Sequence, residues 1–156
     1  VICATQFFTP LLAAWALYGQ PDAVRYVQAA SMFNVPPSLM MATKFAETRR
    51  SMTNTEVSWA GAEGAMQIMP QVWHWQCGVV WGPRRYERNI YCGALILRVY
   101  LERCAENVRC AAFRYVGGDS TYAREVGFHS LMLELKARAP VWPVPTLAEP
   151  KGLSPP

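Results

Sequence analysis

Histidine is nearly absent from this 156-residue chain, and its scarcity removes a class of chemistry at once. The 2 histidines, His74 and His129, lie far apart and belong to no C-x-x-C or H-x-x-x-H spacing, so no metal is assigned. Both read as structural or simply exposed side chains. Charge is also scarce, at 17% of the chain, and no stretch ahead of the C-terminal tail combines low hydrophobicity with a charge excess. Disorder of the body is therefore not expected. No run is suited to crossing a bilayer: the uncharged amino-terminal stretch up to Tyr18 lacks a preceding basic region and is interrupted by Pro10. With Val as its first residue it reads as a processed chain, and a lipid on Cys3 is disfavoured because Val1 and Ile2 stand where a lipoprotein cleavage site has small residues. Strand-like alternation of useful length is missing as well.

What the chain does have is apolar bulk. At 52% hydrophobic residues it can fill the core of one domain. The formal charge of +4 comes from 15 bases against 11 acids, and most of the bases are Arg, whose planar fork suits carboxylates and phosphates. An anionic polymer is a fitting partner. The densest cluster, Arg84, Arg85 and Arg88, sits in no recognised nucleic-acid motif, so nucleic acid is not expected. The 5 cysteines suggest bridges formed in an oxidising compartment, hence a periplasmic or secreted protein. Sequence alone leaves their connectivity open. The expected pairs are Cys104–Cys110, stapling the turn between two helices, and Cys77–Cys92, flanking a connection, with Cys3 left over.

Apolar residues recur at helical spacing: Leu11, Leu12, Trp15 and Ala16; Val35, Leu39, Ala42 and Ala46; Leu95 and Val99; Leu131 and Leu135. The fold class is all-α, with a very short β-hairpin left open in the 52–60 loop. Pro36 and Pro37 can open a helix running to Glu47, and Gly117-Gly118 can close one beginning near Cys110. A single domain is expected over 1–138, its core over 35–135. The remaining 139–156 segment holds half of the chain's 12 prolines and reads as an extended tail that wraps the domain, links it onward or docks a partner.

Glu47 falls in the last turn of its helix. The negative end of the helix dipole and apolar neighbours both favour its protonated form, while Arg49 and Arg50 oppose that bias. Residues 58–70 then read S-W-A-G-A-E-G-A-M-Q-I-M-P. Gly61 and Gly64 allow tight turns and close backbone approach, and Met66, Ile68 and Met69 look like core residues. Gln67 is a polar residue among them, suited to binding a sugar hydroxyl or acetamido group.

In this order, the motifs resemble the lytic transglycosylase family related to goose-type lysozyme. Val35-Pro36-Pro37-Ser38-Leu39 is similar to the family's helix opening, and Glu47-Thr48 stands where that family has its catalytic Glu followed by Ser or Thr. Ser58, Gly61, Ala62, Gly64, Met66, Gln67, Met69 and Pro70 match its second motif almost residue for residue. Asn89-Ile90 with Gly93 and Leu97, Ala112 through Tyr115 to Gly117, and Tyr122 to Val126 look like the later ones. The resemblance spans Val35 to Leu135. Three features depart from it: a longer 47–58 loop, Ile96 where a Tyr is frequent, and Val116 where an Asn is usual.

The resemblance implies a lysozyme-like domain with Glu47 as single catalytic acid/base and with Ser58, Met66, Gln67, Tyr115 and Tyr122 around the substrate. Tyr115 is expected to bond near Glu47. Glu56 and Glu63 are expected to be solvated surface residues. Most glycosidases use two carboxylates, so with only one the substrate's own groups must complete the reaction. The family breaks the MurNAc–GlcNAc β-1,4 bond of peptidoglycan with formation of 1,6-anhydromuramic acid, without a cofactor. The alternatives are a goose-type lysozyme hydrolase and a wall-binding assembly module of a secretion, phage or wall-remodelling machine.

Overall fold

The computed structural model describes residues 23–48, 57–78 and 86–138. Within them the chain is helical: α1 (Ala23–Met32), α2 (Pro37–Thr48), α3 (Pro70–Cys77), α4 (Tyr86–Arg103), α5 (Val108–Tyr115) and α6 (Ser120–Arg138). The boundaries follow local chemistry. Asn34 takes a left-handed φ of 53° after α1, and Pro37 then supplies the fixed φ that suits a first helical turn. Asn107 caps α5 by accepting from the Cys110 N–H at 2.9 Å. Past α5, Gly117 and Gly118 have φ of 81° and 106°, and the Gly118 N–H returns to the Phe113 carbonyl at 2.8 Å, closing that helix where the double glycine suggested. Asp119 then caps α6, accepting from the N–H groups of Thr121 and Tyr122 at 2.7 and 3.1 Å.

The middle of α2 is buried on every side: Leu39, Met40 and Ala42 are fully enclosed and Met41 nearly so. Helices α1, α4 and α6 surround it, and its longest contact is with α6. The two run antiparallel, as three side-chain meetings show. Near the start of α2, Ser130 Oγ donates to Ser38 Oγ at 3.1 Å, which donates to Glu134 Oε1 at 2.9 Å. Further along, the rings of Phe45 and His129 lie 4.9 Å apart. The last turn of α2 meets Tyr122, near the first turn of α6.

Two disulfides brace the outer elements. Cys77–Cys92, with Cα atoms 5.3 Å apart, ties α3 to α4. Cys104–Cys110, at 5.8 Å, closes the corner between α4 and α5, where Ala105 and Glu106 both take left-handed φ. These are the pairs that chain order suggested; Cys3 lies outside the described residues, as does the tail beyond Arg138. Among the described residues there is no sheet, only isolated antiparallel bridges joining Val57 to Glu63 and Glu63 to Ile68. Residues 52–56 of the suggested hairpin loop lie outside the described set. No described helix is long and apolar enough to cross a membrane, and no described group of three or more His, Cys, Asp or Glu could hold a metal ion.

Candidate active site

Glu47 holds its proton more tightly in the fold than an ordinary glutamate does. Burial pushes its pKa from 4.5 up to about 7, against the opposing effect of a hydrogen bond from Tyr122. That bond, Tyr122 Oη to Glu47 Oε1 at 2.6 Å, crosses from α6 to α2. The phenols register the same enclosure: burial first, and the Glu47 charge second, raise both Tyr115 and Tyr122 above the ordinary tyrosine value. Near neutral pH Glu47 therefore exists in both protonation states while the phenols keep their protons. Among the described residues no second carboxylate contributes to the Glu47 shift.

The loop between α2 and α3 supplies the rest of the site. Its first described part is a turn built on Ser58, whose backbone N–H donates to the Ala62 carbonyl at 2.8 Å and whose Oγ accepts from the Ala62 N–H at 3.0 Å. Glu63 and Ile68 then exchange two backbone bonds, each of 2.9 Å, around a turn of Gly64, Ala65, Met66 and Gln67. Three side chains from three helices grip that turn. Thr48 Oγ1 donates to the Ala65 carbonyl at 2.9 Å, and Tyr115 Oη donates to the Met66 carbonyl at 2.8 Å. Asn89, wholly buried on α4, accepts from the Met66 N–H at 2.7 Å and donates to the Glu63 carbonyl at 2.9 Å. Gly64, at φ 77°, lies under that amide: a Cβ there would come within 2.5 Å of Asn89 Nδ2.

The structure thus joins Glu47 to Tyr122 and Tyr115 to Met66, with Gln67 in the same turn as Met66. Gln67 holds a left-handed φ of 47°, and its Nε2 donates to the Gly64 carbonyl at 2.9 Å. Two expectations need correction. Met66 does not present its side chain to a cleft: the residue is fully buried, a Cβ on Gly93 would strike its side chain within 3 Å, and it meets the site through its carbonyl. Glu63, expected in solvent, is buried within the turn, where its backbone exchanges two bonds with Ile68. Tyr115, expected to bond near Glu47, donates to the Met66 carbonyl within reach of the Glu47 charge, and the direct partner of Glu47 is Tyr122. Glu56, Arg49 and Arg50 lie outside the described residues.

Sequence reasoning gave Thr48 and Asn89 no role of their own. The signal for Asn89 was present: it falls on the buried stripe of α4 with Ile90, Gly93, Ala94 and Leu97, where an unpaired amide would be costly. No family model matches the chain, and no curated protein matches it.

Proposed function

We propose that this chain is a peptidoglycan lytic transglycosylase in which Glu47 is the only acid/base. The observation that carries the proposal is a helix-end carboxyl with a pKa near 7, bonded to a tyrosine hydroxyl and enclosed without help from a second described carboxylate. The order of motif residues from Val35 to Val126 supports the same reading. Two disulfides fit a protein that works outside the reducing cytosol, in the periplasm or beyond the cell.

In the proposed reaction protonated Glu47 gives its proton to the oxygen linking N-acetylmuramic acid to N-acetylglucosamine. The bond from that oxygen to the muramoyl anomeric carbon breaks, assisted by the neighbouring acetamido oxygen. The 6-hydroxyl of the same sugar then attacks the anomeric carbon and returns its proton to the Glu47 carboxylate. Glu47 ends as it began, and the product is a 1,6-anhydro sugar. An acid that must also serve as base works best with a pKa near the working pH. A hydroxyl on the reacting sugar has a large effective-concentration advantage over water.

Digestion of purified peptidoglycan followed by mass spectrometry tests this reading. Anhydromuramic ends should dominate from the first time points. Hydrated, reducible ends would replace the proposal with the lysozyme reaction, and absence of cleavage would leave the wall-binding module.

A further inference from the structure

We infer that Asn89, remote in sequence from Glu47 and carried on a different helix, is the positioning residue that holds the Glu47 acid in its enclosed setting. The inference rests on the proposed role of Glu47 for its kinetic part only.

The argument follows the bonds outward from one amide. Asn89 uses its oxygen on the Met66 N–H and its nitrogen on the Glu63 carbonyl, so it spans the 63–66 turn from one side to the other. The two carbonyls between and at the end of that span are those gripped by the acid's surroundings. Ala65 receives the hydroxyl of Thr48, the residue next to Glu47, and Met66 receives the hydroxyl of Tyr115, which senses the Glu47 charge. One buried amide therefore fixes the position of a turn to which both α2 and α5 are tied. A neutral side chain suits the task, because it satisfies one donor and one acceptor without placing a charge beside the acid.

The fit is tight. With Gly64 pressed against the Asn89 side chain, the turn cannot slide along α4 without breaking both amide bonds. Loss of the amide would leave the buried Met66 N–H unpaired and take one of two donors from the Glu63 carbonyl, and the turn would gain most by moving out to water. Water would then reach the last turn of α2, and the burial that raises Glu47 would lessen.

Among the described residues, the ionisable groups around the acid include Tyr122 on α6, with Glu125 acting on it, Tyr115 on α5, with Tyr100 of α4 acting on it, and Glu63, buried in the turn itself. Lys44 is buried one turn earlier on α2. Asn89 carries no charge, so an effect of its removal on the titration of Glu47 must come through position and solvation.

The test is a direct titration of the Glu47 carboxyl by carbon NMR in the full chain, alongside kcat on peptidoglycan as a function of pH. Three variants enter: Asn89→Ala, Thr48→Val, and Leu101→Ala as a control for lost stability far along α4. Asn89→Ala should move the Glu47 midpoint from about 7 toward 4.5 and lower kcat by about 10²-fold, as expected for a misplaced reacting group. Thr48→Val, which keeps side-chain volume and cuts one tie, should move it less, and the two effects should not add in the double variant. Leu101→Ala should lower the melting temperature and leave the midpoint in place. If the midpoint in Asn89→Ala stays near that of the parent, whatever Thr48→Val does, the inference is overturned and Asn89 is only a packing residue. Should Asn89→Ala fail to fold, Thr48→Val decides. An unmoved midpoint defeats the inference even where cleavage is intact; absence of cleavage in the parent with a moved midpoint defeats the proposed function alone.

Discussion

Tyr122 donates its hydroxyl hydrogen to Glu47 Oε1 at 2.6 Å, and that bond pulls the acid in the direction opposite to burial. The acidity of Glu47 is a balance between a low-dielectric setting that favours its neutral form and one donor that favours its anion.

Removing the donor should tip that balance. In Tyr122→Phe the Glu47 pKa should rise above its present value of about 7, so the fall of activity with rising pH that reports its ionisation should shift to more alkaline pH. A pH–rate profile of kcat/KM checks this, and a shift to lower pH would contradict it.

Glu47→Gln keeps the shape and the acceptor for Tyr122 but has no proton to give. Glycan cleavage should fall by roughly 10²–10⁴-fold with an unchanged helical circular dichroism spectrum. Residual activity above about a tenth of the parent would remove Glu47 from the reaction.

The same substitution should stabilise the protein at alkaline pH. A carboxyl whose folded pKa is raised binds its proton more tightly in the fold than in the unfolded chain. Its favourable contribution is complete below 4.5 and is lost as pH climbs through about 7. Relative to the parent, Glu47→Gln should therefore gain up to about 3 kcal/mol between those limits and change little below pH 4. Urea melts at pH 4 and pH 8.5 measure the difference; a gain confined to pH 4 would reverse the sign of the argument.

Gly93→Ala should destabilise the chain by about 1–3 kcal/mol through overpacking. Its new Cβ would lie 2.8 to 3.0 Å from three side-chain atoms of Met66. Because the Met66 carbonyl holds Tyr115, kcat should fall along with the melting temperature, and a loss of stability with full activity would show that the turn absorbs the strain elsewhere.

Reduction of Cys77–Cys92 should loosen α3 before the rest of the fold. The bridge ties that short helix to α4 across a sequence separation of 15 residues. Hydrogen exchange under mild reductant should show protection falling first over 70–77, and uniform loss across all six described helices would contradict a local role.

The all-α architecture was legible because its signal is local. Val35, Leu39 and Ala42 are buried at the spacing that marked them as one helical face, and α2 begins at the second of two prolines. Glu47 was singled out by the order of motifs that resemble the transglycosylase family, its place at the end of that helix being common among surface residues as well. Its partner was harder to read, since Tyr122 reaches it only through the antiparallel meeting of α2 and α6, a long-range event with no short-range pattern. Met66 looked both like a core residue and like part of the site; the structure reconciles the two by burying the side chain and turning the carbonyl to Tyr115. The paired amide of Asn89 left only a weak trace, one polar residue on an apolar stripe, because its partners are backbone groups whose positions depend on the finished loop.

Glu47 and its hydroxyl partner are separated by 75 residues, with α6 the last of the described helices. Synthesis runs from the amino end, so a nascent or prematurely ended chain holds α2 before the helix that encloses it has been made. In such a chain the carboxyl has neither its donor nor its cover and should titrate as an ordinary glutamate near 4.5, carrying almost no proton at neutrality. The tuned acid would thus be a property of the completed molecule. A fragment ending at Asp119 should show that ordinary titration, and addition of a separate α6 peptide should raise it.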